Sequence, residues 1–234
     1  MTSIVRSLYE RYYEQGVVPE ESDYLSSHWV EEGKDLLAER DDSGEIVPTS
    51  VYYWGCRWKS FLGRWFDAAH RYVHLPGISH RGRIFRISRI SEKVCHRMGL
   101  DSTYNVFRQV CTAELLERHL RHVSPEDKLR MLVIGDGTGV LSALLKEMFP
   151  SCSVTLVDMG KALLYQAYHC QLAHPRQVHS LEEGGATPVN ADFLYCPTEN
   201  LSALERYDFD VAVNVASMQE MNAATIAKYF GLLR

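Results

Sequence analysis

Hydrophobic positions follow two rhythms along this chain, and the change between them divides it. Ile4, Val5, Leu8, Tyr9, Tyr12 and Tyr13 recur at helical spacing, so the chain opens with an amphipathic helix. Asp41-Asp42-Ser43-Gly44 is a polar break and reads as a loop. Trp54, Trp58, Phe61, Leu62, Trp65 and Phe66 form a second helical stripe, read either as core or as an aromatic wall that stacks on a sugar ring. Asn105 to His122 predicts another helix, with Val106, Val110, Ala113, Leu116 and Leu120 on one face. Ser124-Pro125-Glu126-Asp127 links this helix to the first strand.

From Met131 the pattern becomes that of alternating strands and helices. Met131–Ile134 is an uninterrupted apolar run that enters a Gly135-x-Gly137-x-Gly139 turn, and VLSALLKEMF continues with helical spacing. VTLVD is a second strand ending in Asp158, and KALLYQAYHCQLA is the next helix. The stretch from His174 to Gly185 leads to a third strand, TPVNAD, ended by Asp192-Phe193. Asp208-Phe209-Asp210 opens a fourth strand, VAVNVAS, and Asn222 is the N-cap of a further helix. This alternation predicts an α/β fold, a Rossmann-like parallel sheet in the order 3-2-1-4 with right-handed crossovers. Residues 1–104 are expected to form an α-helical region on the cap or acceptor side, and 105–234 the cofactor-binding domain. Four strands precede Arg234, so the sheet is expected to be incomplete after the fourth, whose open edge invites pairing into a homo-oligomer.

Composition narrows the class. At 234 residues with 46% hydrophobic and 24% charged content, the chain has the make-up of a soluble globular protein. Its longest apolar runs fall short of the roughly 20 residues that span a bilayer, and MTSIVRSLYERYYEQG carries charges where a signal peptide has an apolar core. The six cysteines are scattered without a C-x-x-C pair, which points to reduced thiols in a cytoplasmic protein. Of His28, His70, His74, His80 and His96, only His70 and His74 stand at i, i+4, too little for a metal-ligand set. The net charge of −5 gives no general attraction to nucleic acid. Locally the balance differs: Arg71, Arg81, Arg83, Arg86, Arg89, Lys93 and Arg97 face only Glu92. Such a segment is read either as a site for an anionic group or as a solvated helix face paired with acids elsewhere.

The chemistry concentrates at the glycine turn. Glycines there let a ligand lie against backbone N–H groups at a helix N-terminus, and an acid ending the second strand can accept hydrogen bonds from both ribose hydroxyls. The spacing excludes two phosphate-binding patterns. A dinucleotide fingerprint needs glycine where Val140 stands, and a P-loop needs Lys-Ser/Thr where Val140 and Leu141 follow Gly139. Ligands of such sheets bind at the carboxyl ends of the strands, where Gly135–Gly139, Asp158, Asp192 and Asn214 are all expected.

Gly135-Asp136-Gly137-Thr138-Gly139 resembles motif I of the class I S-adenosylmethionine-dependent methyltransferases. Those enzymes usually carry an acid two residues before the first glycine; here Val133 stands there, and Asp136 lies inside the turn. FDVAVNVASMQEMNAATIAKYF resembles the matching stretch of bacterial sugar O-methyltransferases through Asn214, Ser217, Gln219, Glu220, Met221, Ile226 and Tyr229. The resemblance covers roughly 105–234. It implies S-adenosylmethionine as cofactor, with Gly135, Asp136, Gly137, Thr138 and Gly139 at its methionine part and Asp158 at its ribose. Met159 would lie beside that acid, Asp192 and Phe193 at the adenine, and Asn214 at the fourth strand's end.

The implied reaction is SN2 methyl transfer to a sugar hydroxyl in glycan or glycoconjugate synthesis. Glu220, which follows the fourth strand at the cofactor's edge, is read either as the candidate base or as an acid that caps or ion-pairs the next helix near Asn222. Gln219, Arg83 and Arg86 are the candidate acceptor-side residues. The arginine segment would bind phosphates of a carrier-linked sugar, and Trp54, Trp58 or Trp65 would stack on its ring. A complete sheet of this family has seven strands. The alternatives are a non-catalytic methyltransferase-like scaffold, a small-molecule O- or N-methyltransferase, and an RNA methyltransferase using the Arg71–Arg97 segment. The last lacks the interleaved aromatic and basic residues of RNA-binding modules.

Overall fold

An apolar run without polar alternation folds as a strand buried on both faces, and the chain from Met131 follows that rule. The computed structural model describes residues 3–16, 36–49, 80–124, 126–185 and 190–233, with positions 63, 65, 68 and 69. In chain order its elements are α1 (Ser3–Tyr9), a π-helical turn (Glu10–Glu14), β1 (Ala38–Arg40), β2 (Ile46–Pro48), α2 (Arg81–Met98) and α3 (Tyr104–His119). Next come β3 (Arg130–Ile134), α4 (Val140–Met148), β4 (Ser153–Asp158), α5 (Gly160–Ala173), β5 (His179–Leu181) and β6 (Phe193–Pro197). A 3-10 helix (Thr198–Arg206), β7 (Val211–Asn214), a 3-10 turn (Met218–Glu220) and α6 (Ala223–Leu232) complete it.

The five later strands form one sheet in the order β5-β6-β4-β3-β7, and every pairing in it is parallel. Successive side chains of each strand point to opposite faces. Met131, Val133, Val154, Leu156, Phe193, Tyr195 and Val213 join a large cluster with apolar side chains of α1 to α5. Leu132, Ile134, Val157 and Cys196 meet Leu204 of the 3-10 helix and Tyr229 of α6 on the other face. Ile4, Val5, Leu8, Ile84, Ile87 and Val94 belong to the first cluster, so α1 and α2 share their core with the sheet. The N-terminal part is not wholly helical: β1 and β2 make an antiparallel hairpin around the polar break, with Asp41 Oδ1 accepting from the backbone N–H of Ser43 and Glu45 at 2.9 Å.

Two sequence expectations are corrected. The third strand is Phe193–Pro197 rather than 187–192, because FLYC is buried throughout whereas Asn190 to Asp192 are not. Thr187, Pro188 and Val189 lie outside the described residues. A fifth strand, β5, extends the sheet at its edge, within a stretch read as a connection. His179 in it stacks on Phe193 with ring centroids 4.9 Å apart. Of the aromatic stripe only Trp65 is described, and it is exposed; Trp54, Trp58, Phe61, Leu62 and Phe66 lie outside, as do Arg71, His28, His70 and His74. Among the described residues no helix is long and apolar enough to cross a membrane.

Beyond β5 the chain buries a charged knot. Glu182, 1% exposed, accepts from Arg206 Nη2 with both oxygens at 2.7 Å, from Tyr207 Oη at 2.7 Å and from the Gly184 N–H at 2.8 Å. Its backbone carbonyl takes a hydrogen bond from Asn200 Nδ2 at 2.7 Å. The knot ties the 3-10 helix after β6 to the sheet edge.

Candidate functional site

The turn after β3 is glycine-rich because its neighbours approach so closely. Gly135, Gly137 and Gly139 have φ of 69°, 63° and 84°, a region that a side chain disfavours by roughly 1–2 kcal/mol. A Cβ on Gly135 would stand 2.1 Å from Ser217 Oγ, and one on Gly139 would stand 3.2 Å from the Cα of Gln166. The loop after β7 and the face of α5 therefore both press on the turn.

Asp136 turns inward. Its carboxylate accepts from the backbone N–H of Leu141 at 3.1 Å and of Ser142 at 2.8 Å, closing the first-turn amides of α4 that have no partner within the helix. Burial raises it to about 6 against the pull of those hydrogen bonds, so at neutral pH it is largely ionised. The amides that a phosphate would seek at this helix start are already answered, by a group of the same charge. A phosphate cradle is thereby disfavoured on geometry as well as spacing.

Asp158 ends β4 beside the turn. Its Oδ1 accepts from the Met159 N–H at 2.8 Å and its Oδ2 from Gln166 Nε2 at 2.5 Å, while the Gly137 N–H is also directed to the carboxylate. The side chain keeps some exposure, yet the enclosing protein raises it to about 7, burial outweighing the hydrogen bonds that favour the ionised form. Met159 follows as the extended N-cap residue of α5.

From the other side, Asn214 at the end of β7 donates from Nδ2 to the Ile134 carbonyl at 2.9 Å and to Ser217 Oγ. Ser217 Oγ donates to the same carbonyl at 3.1 Å, and the Met218 N–H reaches Asn214 Oδ1 at 3.2 Å. This clasp holds Ala216 at φ 67°, a left-handed conformation unusual for alanine. Half-buried Glu220 and exposed Gln219 sit on the 3-10 turn beyond it. Asn222 caps α6 as its sequence indicates, accepting from the Thr225 N–H at 2.9 Å.

The fold thus gathers Gly135 to Gly139 with Thr138, Asp158, Met159 and Asn214 at one end of the sheet. It does not gather Asp192 and Phe193. In the parallel register Val154 pairs with Phe193 and Asp158 with Pro197, so Asp192 stands at the amino end of β6, across the length of the sheet from the turn. There it accepts from buried Lys146 Nζ at 2.6 Å and from the Val178 N–H at 2.9 Å, and Phe193 is wholly buried. The adenine assignment to this pair is withdrawn, and Thr198 and Glu199 follow the carboxyl end of β6 instead. Arg83 and Arg86 are also placed differently from the anion-site reading. Arg83 pairs with Glu114 at 3.1 Å and Arg86 with Glu117, both on α3, and Arg97 pairs with Glu147 at 2.5 Å. Acids elsewhere in the fold answer these three charges.

Three residues at this end were given no site role from the sequence, Gln166, Tyr12 and Glu199, while Ser217 entered only through the resemblance. The Tyr12 ring lies on the backbone of Gly160, where a Cβ would come within 2.3 Å of three ring carbons. Its hydroxyl donates to Glu199, which also pairs with Arg11 at 3.2 Å. Burial first, then Glu199, holds the phenol well above its usual range. Only the lack of a side chain at Gly160 could have signalled the contact.

A Gly135→Ala substitution is expected to destabilise the protein by about 2 kcal/mol, combining left-handed strain with overpacking against Ser217. Adding Ser217→Gly should recover part of the loss in urea denaturation, since it clears the clash but not the strain. A single variant as stable as the wild type would contradict the contact.

Comparison with protein-family models, curated proteins and solved structures gives no match to this chain.

Proposed function

We propose that the chain is an S-adenosylmethionine-dependent methyltransferase that methylates a sugar hydroxyl. The observation that carries the cofactor reading is the junction of Asp158, Gly137 and Asp136. A second-strand acid is bonded to a left-handed glycine turn whose helix amides are already closed by an internal carboxylate. That combination suits a ligand with ribose hydroxyls and no phosphates. The five-stranded sheet, parallel throughout in the order β5-β6-β4-β3-β7, is compatible with a Rossmann-like fold. In this reading the glycine turn binds the amino-acid part of the cofactor, Asp158 its ribose, and Glu220 takes the acceptor's proton. The sugar acceptor rests on the resemblance of the segment from Asn214 to Tyr229, and Glu220 on its place in the turn that follows β7.

The chemistry needs little from the protein beyond alignment, because the sulfonium is already a good leaving group. When bound, the cofactor would supply an electrophilic methyl group, and Glu220 would take the proton of the acceptor hydroxyl aligned with it. Calorimetry with S-adenosylhomocysteine and with NAD tests the cofactor class. Saturable binding of the first and none of the second at millimolar concentration is expected, and the reverse result would overturn it.

A non-catalytic scaffold is the second reading. One observation favours it: an aromatic ring already fills the ledge at the start of α5.

A further inference from the structure

The geometry points to Tyr12 as a latch that occupies the nucleoside's place and must leave before cofactor binds. This inference rests on the cofactor reading above. If Asp158 accepts the ribose hydroxyls, the base lies over the ledge between the carboxyl ends of β4 and β6, the crevice where ligands of parallel sheets sit. Its floor is Met159 and Gly160 and its far wall is Glu199. Tyr12 fills that ledge.

The contact is too close for the ring to act as one side of a slot. Ring atoms Cζ, Cε1 and Cε2 lie 2.2–2.3 Å from where a Gly160 Cβ would be, so the ring rests on the glycine backbone itself. A purine cannot enter between two surfaces already touching. The ring is flat, aromatic and 3% exposed, so it covers apolar floor much as a base would.

The latch is held from its outer end. Its hydroxyl donates to Glu199, and Arg11, beside it in sequence, pairs with the same carboxylate. Tyr12 also belongs to a π-helical turn, Glu10–Glu14, continuing from α1. Such turns are rare and often found at functional sites. Releasing Tyr12 would therefore free the end of α1, while Ile4, Val5 and Leu8 stay in the core.

A closed latch lowers apparent affinity by the fraction of molecules that are open. A latch closed nine-tenths of the time weakens binding about tenfold, and removing it returns that factor. The test is calorimetry with S-adenosylhomocysteine, and with adenosine as the smaller probe, on wild type, Tyr12→Ala and Tyr12→Phe. Tyr12→Ala is expected to bind about tenfold more tightly than wild type. Tyr12→Phe, which keeps the ring and loses the bond to Glu199, should gain less. Hydrogen exchange of residues 10–14 in wild type should quicken when S-adenosylhomocysteine saturates the protein, with that of residues 4–8 unchanged.

Weaker or unchanged binding by Tyr12→Ala overturns the latch, the first by making the ring a binding wall. Should that variant fail to fold by circular dichroism, Tyr12→Phe decides alone, and an unchanged constant overturns the proposal. Binding by Tyr12→Ala but not by wild type supports both latch and cofactor. Binding by wild type with both variants unaltered removes the latch and spares the cofactor reading. No binding by any of the three removes both and leaves the scaffold.

Discussion

An Asp158→Ala protein is expected to bind S-adenosylhomocysteine about 100-fold more weakly than wild type, or below detection. Two ribose hydroxyls donating to one carboxylate are charge-assisted hydrogen bonds, each contributing roughly 1.5–3 kcal/mol, and 100-fold corresponds to about 2.7 kcal/mol. The substitution also frees Gln166 Nε2 and the Met159 N–H, both of which now donate to Asp158. Asp158→Asn separates the two effects. It keeps the size and one acceptor oxygen but cannot take two donors as a carboxylate does, so it should lose most of the affinity with little loss of fold. Binding unchanged in both variants would reject the ribose assignment.

The same carboxylate sets a pH dependence. Burial raises Asp158 to about 7, and hydroxyl donors favour its ionised form, so ligand binding pulls that value down and releases a proton at acidic pH. Affinity should therefore rise with pH through about 7 and level off above it, while Asp158→Asn gives a flatter curve. Folding without ligand carries the opposite sign. A carboxyl raised above its unfolded value supports the fold below that unfolded value, and the contribution is lost as pH rises through about 7. Asp136, raised to about 6 by burial, acts in the same direction.

The legible and illegible parts of this molecule differ in how far apart their causes lie in the chain. β3 and β4 could be read directly, because a strand covered on both faces must be apolar throughout, and Met131–Ile134 and Val154–Val157 nearly are. α5 and α6 followed from helical spacing and from Asn222 as a cap. β6 was placed too early because the acid at Asp192 was read as the strand's end, as Asp158 is of β4, whereas the buried run FLYCP begins just after it. β5 carries no pattern: HSL is a strand because His179 stacks on Phe193 and bonds to Tyr195. At the site, the glycines announced a tight turn, since few other residues accept φ near 70°. Asp136 looked like a ligand contact and proved to cap its own helix. Tyr12 was read as one position in an amphipathic stripe, and its contact with Gly160 arises only when α1 docks on α5.

Glu182→Ala is expected to lower stability by about 3 kcal/mol, the low end of what breaking a buried ion pair costs. The low end applies because Glu182 is enclosed, with a side chain 1% exposed, whereas that of Arg206 is 22% exposed and can recover some water. That figure includes the lost partners of the Tyr207 hydroxyl and the Gly184 N–H and the packing of the removed side chain. At roughly 2–4 °C per kcal/mol for a chain of this size, the melting temperature should fall by about 6–12 °C. An added Arg206→Met change should restore part of the difference, because it removes the stranded guanidinium and leaves an apolar chain in its place. A single variant within about 0.5 kcal/mol of wild type would show that the knot contributes little. The consequence extends to the site, since the 3-10 helix tied down by Arg206 and Asn200 begins at Thr198 and carries Glu199. Glu182→Ala should therefore loosen the wall on which Tyr12 is held, and hydrogen exchange should rise at 198–206 and at 10–14 together. Faster exchange confined to 198–206 would separate the knot from the latch.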